Sequence, residues 1–180
     1  MSDIRLVEYD PFWPEDFAAR RRVIAGLLAP LIADIQHVGS TAVPGLAAKP
    51  KIDIDAVLQS EGDIPVALES AATAGYHFHG DPYGNGLWTL TMSGAPYGTR
   101  LYICGPDNHA HQARILFRDY LRRHTGVARQ YELLKRKLII QARGNWDIYA
   151  SGKSEFIAGV LRRAQNEKPR CFQRGLFEAK

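Results

Sequence analysis

Two aspartates, Asp53 and Asp55, stand one residue apart in the run Lys51-Ile52-Asp53-Ile54-Asp55-Ala56-Val57-Leu58. Side chains alternate along a strand, so residues two apart share a face. If this run is a strand, both carboxylates project together while Ile52 and Ile54 serve the opposite side. Adjacent carboxylates repel, and burying them unpaired is costly. A divalent cation neutralises such a pair. Magnesium suits the task, with manganese as the alternative, because it takes oxygen ligands and leaves room for water and substrate phosphates. Two exposed acids on a wetted sheet face fit the same spacing, and the motif alone does not choose between the two.

The segment just upstream points to phosphate. His37-Val38-Gly39-Ser40-Thr41 leaves an apolar stretch and enters a loop punctuated by glycine and proline. Gly39 lets backbone approach a ligand closely, and the Ser40 hydroxyl can donate to a phosphate oxygen. A helical turn starting at Ser40 or Thr41 would add free N–H groups that favour an anion. Lys49 and Lys51 flank the entry to the aspartate strand and could neutralise further charge. A plain turn capped by a hydroxyl is the ordinary alternative.

The elements that must position these residues follow from periodicity and breakers. Ile4 to Glu8 reads as a short edge strand, ended by Asp10-Pro11-Phe12-Trp13-Pro14. A helix is predicted from Pro14 or Glu15 to about Leu31, with Phe17, Val23, Leu27, Leu28 and Leu31 as its apolar stripe. Ile35–Val38 and Lys51–Leu58 read as strands, and Asp63–Ala74 as a helix with Gly75 at its C-terminal cap. Three more strand candidates are Tyr76–His79, Leu87–Met92 and Arg100–Cys104. From His109 the pattern turns helical, to about His124, then from Val127 to Arg143, then from Ser151 to Ala164. Strands first and helices after predict an α+β domain with a mixed or antiparallel sheet and a C-terminal helical part.

The remaining polar candidates have competing roles. Arg118, Lys135 and Lys153 could each reach phosphate as cationic groups, or serve as an ion-pair partner or a solvated charge. His77 and His79 share a strand face, but His109 and His111 fall at a helix start, where residues two apart do not face each other. Surface or loop roles are therefore expected for these histidines. His37 suits either a substrate contact or a satisfied core position. Trp88 and Tyr83 could stack a ring or fill the core. Cys104 ends an apolar strand as a small buried hydrophobe.

The run from His37 to Pro50, followed by Ile52-Asp53-Ile54-Asp55, resembles the signature of the GrpB family, within the DNA polymerase β-like nucleotidyltransferase superfamily. Tyr9-Asp10-Pro11 with Trp13-Pro14, Leu116 to Arg122, Tyr131 with Leu134-Lys135-Arg136, and Tyr149 with Lys153 and Phe156 extend the resemblance over roughly residues 4 to 162. The resemblance implies a nucleotidyltransferase-like fold. It implies a Gly39-Ser40 loop on nucleotide phosphates and metal ions on Asp53 and Asp55 as the catalytic pair. The implied reaction is magnesium-dependent transfer of a nucleotidyl group from a nucleoside triphosphate, taken as ATP, to an acceptor. Thr41, Lys49, Arg100, Arg118, Lys135 and Lys153 would complete the nucleotide and phosphate site. Active superfamily members use a third carboxylate from a later strand, yet Arg100 and Tyr102 hold the shared face of that strand here. An arginine there suits phosphate or carboxylate better than metal. The departure keeps two alternatives open: a catalytically silent nucleotide-binding protein, or an ATP-dependent ligase-type enzyme using the same cleft.

Bulk properties fit one domain of about residues 1–166 with a basic tail at 167–180. The chain has 180 residues, 46% of them hydrophobic, and a formal net charge of +4. Cys104 and Cys171 make no metal spacing and no disulfide framework, which points to a reducing cytoplasm. No apolar leader or membrane-length apolar stretch is present. The basic segment from Arg114 to Lys137 suits an anionic partner. Interleaved acids and the lack of a nucleic-acid motif argue for a small nucleotide over a nucleic acid.

Overall fold

Strict alternation between Lys51 and Leu58 produces a strand with two unlike faces. In the computed structural model, which describes residues 5–94 and 96–167, this strand is the second of five. Ile52, Ile54, Ala56 and Leu58 are fully buried. They join Trp13 and Ile24 of helix α1 (Trp13–Leu27), Leu28 just past its end, and Ala67 and Ala71 of helix α2 (Ile64–Thr73) in the main apolar core. The other face of β2 (Lys51–Leu58) carries the two aspartates toward the C-terminal helices.

The remaining strands are β1 (Ile32–Val38), β3 (His77–Phe78), β4 (Trp88–Met92) and β5 (Gly98–Cys104). Their order is β1-β2-β5-β4-β3. β2 and β5 run parallel, and the other neighbours are antiparallel. This is the mixed sheet that the α+β reading predicts. Helices α3 (His109–Arg123), α4 (Thr125–Ala142), α5 (Trp146–Ser151) and α6 (Ser154–Glu167) form the helical part. Val43 and Leu46, from the connection after β1, insert among Leu121, Ala128 and Tyr131 of that part. The connection is therefore packed into the helices rather than left as a free surface loop.

Several boundaries differ from the sequence expectation. Of the edge strand expected at Ile4–Glu8, the described residues, from 5 on, form a single bridge, between Val7 and Ala48. α1 ends at Leu27, four residues before Leu31, because Pro30 disfavours helical backbone at Ala29 and supplies no N–H. The chain then enters β1 at Ile32, earlier than Ile35. The helix expected from Ser151 to Ala164 is α6, which starts at Ser154, and a separate short helix, α5, precedes it unforeseen. Asn145 caps α5, its side chain accepting from the N–H groups of Asp147 and Ile148. Glu167 closes α6, and the rest of the expected tail, 168–180, lies outside the described residues. No helix among the described residues is long and apolar enough to cross a membrane.

Candidate functional site

Gly39 turns the chain out of β1 with φ 74, a left-handed conformation that glycine adopts without strain. A Cβ at this position would lie 2.6 Å from Oδ2 of Asp53. The loop backbone can therefore rest against the carboxylate only because residue 39 has no side chain. A short 3-10 turn, Ser40–Ala42, follows.

The helices hold this loop in place. Lys135, 2% exposed, donates to Ser40 Oγ at 3.1 Å and to the carbonyl of Ala47. Glu132 accepts from the Ala47 N–H at 3.2 Å, and Arg122 donates to the Ala42 carbonyl at 2.8 Å. Arg118 donates to the His37 carbonyl at 2.8 Å and to Gln36 Oε1 at 2.9 Å. Both ends of the connection are thus hung from α3 and α4.

A cleft of about 600 Å³ opens between the loop, the sheet and the helices. Gly39, Ser40, Thr41, Lys49, Asp53, Arg100, Lys135 and Lys153 all line it. Six cations contribute to the wall, Arg5, Lys49, Lys51, Arg100, Lys135 and Lys153, against Asp53 as the one acid. Tyr131, Trp146 and Tyr149 form the facing aromatic wall. The Lys49 ammonium lies 3.3 Å above the Trp146 ring centre, and that of Lys153 lies 4.4 Å from the Tyr149 centre. Trp146 is nevertheless 37% exposed. A larger groove of about 730 Å³ runs along the outside of α3 but includes neither the loop nor either aspartate.

Charge in the cleft is strained. Burial first, then the nearby Lys153 and Arg100, pushes Lys49 down to about 7. Burial also lowers Lys135 to about 7 against the pull of Glu132. Lys153 and Lys51 shift down as well, again chiefly by burial. Burial holds the Asp53 carboxyl above its ordinary range, although Arg100, Arg114 and Lys49 oppose the shift. Its Oδ1 is buried without a hydrogen bond.

The two aspartates have separate fates. Asp55, 0% exposed, is sealed under α3 rather than open to the cleft. His111 Nδ1, when protonated, donates to its Oδ2 at 2.9 Å. Arg114 Nη1 stands 3.1 Å from its Oδ1 as a close ion pair whose N–H groups are not aligned for a hydrogen bond. Arg100 is the β5 register partner of Asp53, and Tyr102 that of Asp55. Among the described residues no three Asp, Glu, His or Cys side chains are grouped to hold a metal ion. The donor set therefore does not fit a metal centre built on both aspartates, and Arg118 is bound to β1 outside the cleft.

His111, expected at the surface or in a loop, is instead tucked under its own helix, α3, against the buried Asp55, and Trp146, Tyr149 and Arg114 were not placed at the site by the sequence reading. Asn145 ahead of Trp146 was a legible capping signal for α5, and Trp146 and Tyr149 then follow at helical spacing. His111 and Arg114 also stand three apart on α3, which puts both over Asp55. His37 takes the core option. It stacks on Phe17 at 4.7 Å and meets Thr41 Oγ1 at 3.0 Å, and burial lowers it to about 4. Cys104 is buried, and burial raises its thiol to about 12.

Residues 3–163 match the family described as GrpB protein. A UPF0157 protein of Pseudomonas aeruginosa is 36% identical over 169 residues, covering 89% of this chain and 67% of the relative. The crystal structure of conserved protein GrpB from Enterococcus faecalis superposes with a TM-score of 0.81 at 27% identity, covering 90% of this chain and 98% of that one. The Cid1 poly(U) polymerase, solved with magnesium and 3'-dATP, gives a TM-score of 0.53 at 14% identity over 82% of this chain and 49% of its own. That likeness concerns the fold alone, which is nucleotidyltransferase-like.

Proposed function

This chain belongs to the GrpB family, and on that premise we propose that its cleft binds a nucleoside triphosphate. The carrying observation is the division of the cleft into a cationic wall and an aromatic wall. Six cations and the Gly39–Ser40 turn suit a polyphosphate, whose charge relieves the mutual repulsion of Lys49, Lys153 and Arg100. Trp146 on the facing helix, backed by the buried Tyr149, suits a planar ring, for which an exposed aromatic is a sequence-tolerant platform. Lys135 positions Ser40, and Gly39 keeps the turn against Asp53.

Isothermal titration calorimetry with the four common nucleoside triphosphates and with inorganic tripolyphosphate tests this reading. All five bind to the wild-type protein. Trp146→Ala weakens the nucleotides by about tenfold and leaves tripolyphosphate unchanged. If none of the five binds, the cleft is not a triphosphate site. If tripolyphosphate weakens as much as the nucleotides, Trp146 is not a ring platform.

Nucleotidyl transfer to an acceptor is the second reading, favoured by the unpartnered Oδ1 of Asp53 on a nucleotidyltransferase-like fold. Pyrophosphate release on turnover would mark transfer, and ADP or an adenylate among the products would mark a ligase-type reaction. Binding with neither product marks a silent nucleotide-binding protein, the form that the donor set favours.

A further inference from the structure

Resting on that nucleotide-binding reading, we propose that the cleft binds polyphosphate without a divalent cation, because Arg114 and His111 hold Asp55 out of any metal pair while Arg100 and the cleft lysines supply the positive charge that a metal would bring. Arg114 stands against one oxygen of Asp55. Its guanidinium stands 3.1 Å from Oδ1 and 3.7 Å over the Tyr102 ring. It is fixed by both contacts, and Tyr102 is itself the register partner of Asp55. His111 takes the other oxygen at 2.9 Å. An ion bound by both aspartates would have to displace a guanidinium paired with one oxygen of a fully buried carboxylate and an imidazole hydrogen-bonded to the other.

Arg100 faces Asp53 from the neighbouring strand without closing an ion pair, and its charge acts on that carboxyl at longer range. The two residues are paired in the parallel register of β2 and β5, and both line the cleft. The guanidinium is planar, always charged, and matched to phosphate oxygens in a two-point contact. Asp53 is therefore an internal counterion among cations rather than half of a metal pair. Phosphate oxygens contact Arg100, Lys49 and Lys153 directly, with Ser40 as a neutral donor.

Two titrations on the full chain test this. In the first, ATP and tripolyphosphate are titrated by calorimetry in excess magnesium and again in excess EDTA. The dissociation constants agree within about threefold. A tightening of about tenfold or more by magnesium overturns the proposal. In the second, manganese alone is titrated and followed by water-proton relaxation, which needs no nucleotide. No saturable tight site is expected. A stoichiometric site that disappears in Asp53→Asn overturns the proposal even if no nucleotide binds. Arg100→Asp, which places an acid opposite Asp53, weakens metal-free tripolyphosphate binding by about tenfold or more. Unchanged metal-free binding by that variant removes Arg100 from its assigned role. Failure of both ligands under every metal condition counts against the nucleotide reading, whereas binding that requires magnesium counts only against this one.

Discussion

The two faces of β2 lie one residue apart in sequence and in different chemical worlds. On one face Ile52, Ile54 and Leu58 close an apolar core with α1 and α2. On the other, Asp53 and Asp55 face guanidinium, ammonium and imidazole groups. The difference teaches that a β-strand can carry a charged layer only if its reverse side supplies the burial that holds the sheet together. The charged face is divided again. Asp55 is paired and sealed, whereas Asp53 lines the cleft with an oxygen left over. The first carboxylate stabilises its surroundings, and the second is retained among cations at a cost to folding.

The largest test of that comparison removes the sealed acid. Asp55→Ala leaves Arg114 and His111 facing an empty site, and urea denaturation should show a loss of about 2–4 kcal/mol. A loss below about 0.5 kcal/mol would mean that the pair does not bind α3 to the sheet.

A smaller effect follows from pH. Lys49 and Lys135 both titrate near about 7 in the free protein. A bound polyanion favours their charged forms and raises both values, so binding takes up protons when the pH is near or above 7. Affinity is fully present below about pH 7 and falls by a few-fold to about tenfold over the next two units. Calorimetry in buffers of different ionisation enthalpy checks this. A flat profile, with no proton uptake, would show that neither lysine meets the ligand.

The smallest effect should come from the open acid. Its carboxyl is raised by burial, so the folded state binds its proton more tightly than the unfolded chain does. Asp53 therefore detracts from stability above its folded value. Asp53→Asn should leave stability unchanged or raise it by up to about 1 kcal/mol in urea denaturation. A loss as large as that of Asp55→Ala would erase the distinction between the two acids.

Much of this was legible from residue pattern. Period-two alternation fixed the faces of β2, and Gly39, Ser40, Lys49 and Lys51, singled out beside it, do line one cleft. Which aspartate stays open was not legible, because that depends on α3 reaching across from more than fifty positions away to place His111 and Arg114 on Asp55. Arg118 carries the same charge as Arg114 and lies one helical turn further along α3, yet it meets the β1 carbonyl instead. Residue type alone could not separate those two roles. The aromatic wall escaped because residues 144–150 fell between two expected helices, when Asn145 caps the start of α5. The short edge strand failed because its described residues, from 5 on, find a single partner, Ala48, rather than a ladder.

Gly39 carries a consequence for how this sequence can vary. Position 39 is locked twice, by a left-handed φ of 74 and by the Asp53 oxygen that would stand 2.6 Å from any Cβ. Shortening Asp53 releases the second lock and leaves the first. Positions 39 and 53 therefore cannot exchange bulk with each other, as two contacting core residues often can. Any redesign of the cleft has to treat the glycine and the carboxylate as a single unit and make its changes on the aromatic wall.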